Sequence, residues 1–321
     1  MNMLPTKRSM LLGVLLIQAP LLYADASKAF TALQHGRVDE AEQSLRTILA
    51  ATPNDAYAHQ LLCRVFYAQE QAEKAVAECE AAVAAAPNDS VDLMWLARAY
   101  GQKASHAGPI AGYSLGKKVG QTFKRAVEAD PSNLDAVNDL GEFYTQAPGI
   151  VGGGVDKARP LVDTLQSRSP GKAHRLLAYI AESSGDSPTA EAEFKKAIDA
   201  GHTTDAYMDL GNFYEMHHKP DQAFAAVNAG LAADREHGPP LMDAATILIA
   251  AKRGQDIAER ALSDYLSSPN QTDEAPVFKA HVILGKLLAK RGDNAGAQRE
   301  FAAARALAAN FSAARDASKG A

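Results

Sequence analysis

The chain has 321 residues, with 33 basic and 38 acidic side chains, a formal charge of −5, and aromatics at only 7%. That net sign argues against nucleic acid or an anionic membrane surface as the main partner. Few aromatics beside abundant alanine suit closely packed helices and disfavour a large sheet.

Lys7 and Arg8 give a short basic start, followed by an uncharged, mostly apolar run from Met10 to Tyr23 and small residues at Ala24 and Ala26. This is the pattern of a secretory signal peptide over residues 1–24, with cleavage after Ala24 or Ala26. The apolar run is about 14 residues, short of the roughly 20 that a membrane-spanning helix needs. Pro20 also interrupts it; an uncleaved N-terminal anchor is the alternative. Lys7 and Arg8 are the only charges of the leader, so the mature chain carries 31 basic and 38 acidic residues, a formal charge of −7. An exported product, periplasmic or secreted, is expected. No other segment is long and apolar enough to span a bilayer.

Beyond the leader the chain is periodic. Pro53-Asn54-Asp55 recurs as Pro87-Asn88-Asp89, 34 residues later; Pro131 follows after 44 and Pro170 after another 39. The excess falls where Gly and Pro concentrate, at 104–113 and 147–154. Within each period a Leu-Gly-x-x-Tyr pattern appears as Leu140-Gly141-Glu142-Phe143-Tyr144 and Leu210-Gly211-Asn212-Phe213-Tyr214, with variants at Leu62–Phe66, Leu96–Tyr100 and Leu284–Leu288. An Ala-x-x-x-Phe pattern follows at Ala190/Phe194 and Ala297/Phe301.

Apolar residues at i, i+3, i+4 and i+7 mark these segments as helix faces. Gly36, Gly185, Gly254 and Gly292 stand where one helix must stop and reverse. The spacing predicts helix hairpins over 27–53, 56–87, 90–131, 134–170, 171–203, 204–236, 239–269 and 277–309, with a frayed tail over 311–321. Each hairpin leaves an apolar flank that only its neighbour can cover, so the units stack.

These motifs resemble the tetratricopeptide repeat family, and the resemblance covers nearly all of residues 27–310. It implies an all-α, right-handed solenoid of about eight antiparallel hairpins whose first helices line a concave groove. Carried over by repeat position, that groove presents Arg64, Arg98, Asn138, Glu142, Arg175, Tyr179, Asn212 and Lys286, a mixed surface suited to an extended peptide. The basic-and-asparagine clamp by which chaperone-binding relatives hold a C-terminal carboxylate is not matched at consecutive units. The two insertions, with Phe123-Lys124-Arg125-Ala126-Val127 through Asp139-Leu140, are more distantly similar to the tetratricopeptide-like domain of the regulator of microtubule dynamics family. That likeness implies little beyond an apolar ligand.

In a solenoid the turns at 104–113 and 147–154 fall on the same edge and should be neighbours. The amides of Gly149, Gly152, Gly153 and Gly154, with Lys117 and Lys157 just downstream, can receive an anion; equally, the glycines can serve only an irregular turn. No strand precedes them and no phosphate-loop signature is present.

Cys63 and Cys79 sit equidistant from one hairpin turn, at core positions, and admit either a disulfide or two buried thiols. His217-His218 reads as a solvated turn and not a metal site, since no further ligand completes a set. Catalytic motifs of the Gly-x-Ser-x-Gly or His-Glu-x-x-His kind are missing. The expectation is a non-enzymatic scaffold without cofactor or metal, binding a protein or peptide. The alternative is a lipid or other small apolar ligand held between groove and loops. An enclosed apolar pocket favours the second reading, and an open polar trough the first.

Overall fold

Helix starts in this chain are set by capping side chains. Asp55 accepts the amide of Ala58, Asp89 those of Val91 and Asp92, Asn133 that of Ala136, and Asp293 that of Gly296. Each satisfies an orphan amide of a first turn, worth about 1 kcal/mol. The Pro-Asn-Asp signature is thus a helix stop followed by the next helix's cap.

The computed structural model describes residues 18–317, with side chains from Ala26 onward. Among these are seventeen α-helices, one 3-10 turn and no strand. Helices α1 (Gln18–Gln34) and α2 (Val38–Ala51) form the first hairpin, then α3 (Ala56–Ala68) with α4 (Ala72–Ala85), and α5 (Ser90–Ser105) with α6 (Pro109–Ala129). Next come α7 (Leu134–Gln146) with α8 (Val155–Gln166), α9 (Pro170–Ser183) with α10 (Ser187–Gly201), and α11 (Thr204–Met216) with α12 (Pro220–Ala233). The series ends with α13 (Pro240–Ala250) and α14 (Gln255–Ser267), α15 (Val277–Lys290) and α16 (Asn294–Leu307), and a short α17 (Ser312–Ala317). The eight expected hairpins are these eight pairs. Of the expected signal peptide, residues 1–17 lie outside the described residues.

Small side chains let the helices nest. A Cβ on Gly285 would stand 2.5 Å from the Phe301 ring of its partner helix, a distance no packed core tolerates. Polar ties repeat across hairpins as well. His59–Glu78, His174–Glu193 and His281–Glu300 each join the two helices of one hairpin at 2.6–2.7 Å, always 19 residues apart. In the second hairpin, Cys63 and Cys79 are disulfide-bonded, with Cα atoms 5.2 Å apart, so of the two readings left open the bonded one holds.

Two expectations are corrected. The segment 104–113 is mostly helix: only 106–108 separate α5 from α6, which at 21 residues is the longest helix among those described. Pro109 starts it at the first helical position, where its missing amide costs nothing. Of the glycines that suggested a loop, Gly108 is the N-cap at which α6 starts and Gly112 lies within its first turns; farther along, a Cβ on Gly116 would stand 3.1 Å from Val151. The tail is not simply frayed either. Phe311 is buried and meets Phe278 at 5.0 Å between ring centroids, and α17 follows it, with Ala314 buried too. Residues 318–321 lie outside the described part.

The hairpins complete one superhelical turn, and its end meets its beginning. Val277 packs against Gly36, leaving no room for a side chain there. His35 bonds Gln271 at 2.9 Å, Lys279 pairs with Glu70 at 2.8 Å, and the Ala309 amide donates to Asp39 at 2.9 Å. Phe278, Phe311 and Ala314 belong to the same apolar cluster as Ala29, Leu33 and Leu45. The solenoid is closed on itself.

Candidate functional site: a charged trough on the inner face

The first helix of each hairpin faces inward, and closure brings groove residues from both ends of the chain together. The linker between α14 and α15 crosses this inner face. Its base is fixed by Tyr265, whose hydroxyl donates to the Ala275 carbonyl at 2.5 Å and accepts from the Thr272 amide at 3.3 Å. From there Asp273 takes two bonds from Arg64, at 2.7 and 2.8 Å, with only 3% of its side chain exposed. Arg64 also lies over Phe30 and Trp95. The next residue, Glu274, bonds Arg98 at 2.6 Å, and Arg98 reaches Asp139 at 2.6 Å as well. The bidentate, charge-assisted Arg64–Asp273 pair fixes geometry as well as energy.

Farther round, Arg175 on α9 pairs with Asp209 on α11 at 2.8 Å and with Glu142 on α7, and donates to Asn138 at 3.1 Å. Its guanidinium lies 4.9 Å from the Tyr179 ring. Between these networks lies an open cavity of about 570 Å³. Six carboxylates line it (Asp135, Asp139, Asp205, Asp209, Asp243 and Glu274) against three cations, Arg98, Lys172 and Arg175. Every cation there is already paired: Lys172 bonds Asp135 at 2.6 Å. The surplus is negative.

The carboxylates register that surplus. Burial pushes Asp209 up to about 6 although Arg175 pulls it down, with Glu142 and Asp205 adding to the rise. Asp243 is likewise pushed up to about 6, by enclosure first and then by Asp205 and Asp209. It nonetheless keeps contact with solvent along the trough. Burial also raises Asp139, against the pull of Arg98.

Of the groove residues expected from the sequence, Arg98, Asn138 and Arg175 line this cavity. Glu142 and Tyr179 belong to the Arg175 network, Tyr179 through a 3.5 Å contact of its hydroxyl with Asp209. Arg64 is committed to the seam with Asp273. Asn212 and Lys286 stand exposed elsewhere, Asn212 contacting the Met216 sulfur at 3.5 Å. Sequence reasoning passed over the aspartates that set the trough's charge. Their signal is a repeated ten-residue frame, Asp135-Ala-Val-Asn-Asp139-Leu-Gly-Glu-Phe-Tyr and Asp205-Ala-Tyr-Met-Asp209-Leu-Gly-Asn-Phe-Tyr, in which both acids recur.

The glycine turn does meet α6, but it does not hold free amides for an anion as a set. The amides of Gly152, Gly153 and Gly154 donate to the carbonyls of Gly149, Pro148 and Tyr144, and the Lys157 ammonium sits on the Gly152 carbonyl at 2.7 Å. A Cβ on Gly153 would fall 1.8 Å from the Ala147 carbonyl oxygen, so the glycine there serves a close backbone approach. Gly149 opens the 3-10 turn, and Lys117 lies 4.9 Å from the Tyr113 ring. Of the two readings left open for these glycines, the internal bonds fit the irregular turn. His217 stacks on Phe213 and bonds Glu182 at 3.3 Å. Among the described residues no group of three or more His, Cys, Asp or Glu gathers as a metal site, and no helix is long and apolar enough to cross a membrane.

Residues 32–100 match the tetratricopeptide repeat family model. No curated protein matches the chain. Among solved structures it is similar to a tetratricopeptide repeat protein from Parabacteroides merdae, at 14% identity over 94% of this chain and 98% of that one, with a TM-score of 0.48. A thermophilic repeat protein of Thermus thermophilus, TTC0263, is similar at 17% identity over 76% and 99%, with a TM-score of 0.43. The human IFIT1 dimer with m7Gppp-AAAA is similar at 12% identity over 90% and 72%, with a TM-score of 0.47.

Proposed function

We propose that this tetratricopeptide repeat protein is an exported, non-enzymatic scaffold that holds an extended, basic segment of a partner protein in its inner trough. Repeats of this family serve as protein-interaction scaffolds, and the trough supplies the specificity. One observation carries the reading: six carboxylates face three already-paired cations around an open cavity of about 570 Å³. A lysine or arginine entering there relieves repulsion that the fold leaves standing. A lipid held in the groove would need an enclosed, mostly apolar pocket, and the trough is charged and open. The leader pattern of residues 1–24 supports export, as does the Cys63–Cys79 bond, which persists best in an oxidising compartment.

The test is fluorescence anisotropy of the mature chain with short labelled peptides, one rich in Lys and Arg, one rich in Asp and Glu. The basic peptide should bind, more weakly as salt rises. The double variant Asp209→Asn, Asp243→Asn should weaken it by about tenfold, which is about 1.4 kcal/mol. Preference for the acidic peptide, or indifference to the double variant, would refute the proposal.

A further inference from the structure

The edge where the two insertions meet has the opposite chemistry to the trough. Six large apolar side chains stand exposed among the described residues, and three of them are here: Ile110 at 89%, Ile150 at 71% and Tyr113 at 40%. On α6, Ile110, Tyr113, Lys117, Gln121 and Lys124 recur at spacings of three and four and share one exposed face. Lys118 and Arg125 flank that face and are exposed too. The one carboxylate on the helix is Glu128, at its far end, 3.4 Å from Lys124. Close packing of Val151 on Gly116 and of Phe143 on Gly120 sets the glycine turn beside this face. Ile150 protrudes from that turn, and the cavity of about 510 Å³ between them is lined by Lys117, Lys124 and Lys157 together with Phe143 and Tyr144.

The charged groups on adjoining elements do not cancel the face. At the start of α8, Asp156 is offset by Lys157 and Arg159, and at the end of α5 Lys103 is paired with Glu73 at 2.5 Å. Four cations and one carboxylate on a single helix make a basic patch on a chain of net charge −5. Whole-chain charge misleads here because it averages over the surface, whereas six of the acids line the trough and the lysines of this edge face out.

We propose that the edge formed by α6 and the 149–152 turn docks the protein on an anionic phospholipid surface. The shape of the patch selects that occupant. Ile110 projects from the first turn of α6 and Ile150 from the glycine turn where it borders the cavity; both stay largely exposed, so they suit a deformable layer into which they can sink. A protein partner would present pockets for such anchors, and a free soluble anion has no use for them. Lysines beside apolar tips keep their ammonium groups at headgroup level while their stems lie against the acyl boundary. Anionic headgroups complete the charge match. This inference is independent of the trough and its peptide.

The measurement is co-sedimentation of the mature chain with phosphatidylcholine vesicles, alone or mixed with phosphatidylglycerol. Binding is expected on the mixed vesicles only, decreasing as salt rises. Ile110→Asp with Ile150→Asp should cut the bound fraction about tenfold, as should Lys117→Glu with Lys118→Glu. All four residues are exposed, so an unchanged helical circular dichroism spectrum checks the fold of each variant. The trough variant Asp209→Asn, Asp243→Asn should bind vesicles like the parent, which separates this test from that of peptide binding. Equal binding to both vesicle types, or full binding by the double Asp variant, would overturn the proposal. So would self-association through this edge, seen by sedimentation velocity without lipid and abolished by the same isoleucine changes.

Discussion

Asp273 and Asp243 both face the inside of the closed solenoid, in opposite circumstances. Asp273 is buried and spends both oxygens on Arg64, so the seam is balanced charge for charge. Asp243 faces Asp205 and Asp209, while Arg175 is already committed to Asp209 and Glu142. The seam uses charge to hold two ends of a chain together. In the trough, charge is left over, which the fold does not require and a ligand can use. Natural sequences break their own local rules mostly at such places.

The sharpest way to break this comparison is at the seam. Arg64→Ala leaves Asp273 buried without its cation and should cost about 3–5 kcal/mol in urea denaturation. Replacing both partners together, Arg64→Met with Asp273→Leu, should recover most of that loss, because a buried pair exchanged for apolar contact is often neutral. A loss under about 1 kcal/mol in the single variant would fall in the range of a surface pair and would mean that the seam does not close the molecule.

The trough should respond with the opposite sign. Asp243 is an acid whose native pKa stands above its unfolded value of 3.8, at about 6. Well below pH 3.8 both states are protonated and nothing is lost. Between about 4 and 6 the native state keeps a proton that the unfolded state has released, so stability falls as pH rises through that window and the penalty is full above it. Asp243→Asn should therefore raise stability at pH 7.5 and leave it unchanged at about pH 2.5. Solvent contact screens much of the shift, which limits the gain to about 1 kcal/mol. Thermal melts of both proteins at the two pH values provide the check. Smallest of all should be Lys172→Ala at the trough rim, whose pair with Asp135 is 39% and 63% exposed. Less than about 0.5 kcal/mol is expected from the same melts.

What the sequence disclosed follows the range of the interactions. The hairpins were legible because capping aspartates, turn glycines and helix-period apolar residues act over a few positions. The extension of α6 was not, because Gly112, Gly116 and Gly120 look like helix breakers until Val151 is seen to need the space at Gly116 and Phe143 that at Gly120. The seam was hidden for a plainer reason. Arg64 and Asp273 are 209 residues apart, and no local pattern links them. The trough lay between these cases, since its aspartates stand in a repeated frame. Their consequence emerges only when α7, α9, α11 and α13 are curved around a common space. The glycine turn stayed open because its composition does not disclose which carbonyls its amides will find.

Stacked-hairpin proteins ordinarily unzip from their terminal units, which have a neighbour on one side only. Joining α15–α17 to α1–α3 gives both outermost hairpins a second neighbour, so no loose end remains at which melting can start. Unfolding must first rupture the join itself, and the whole array should then respond as a single cooperative block.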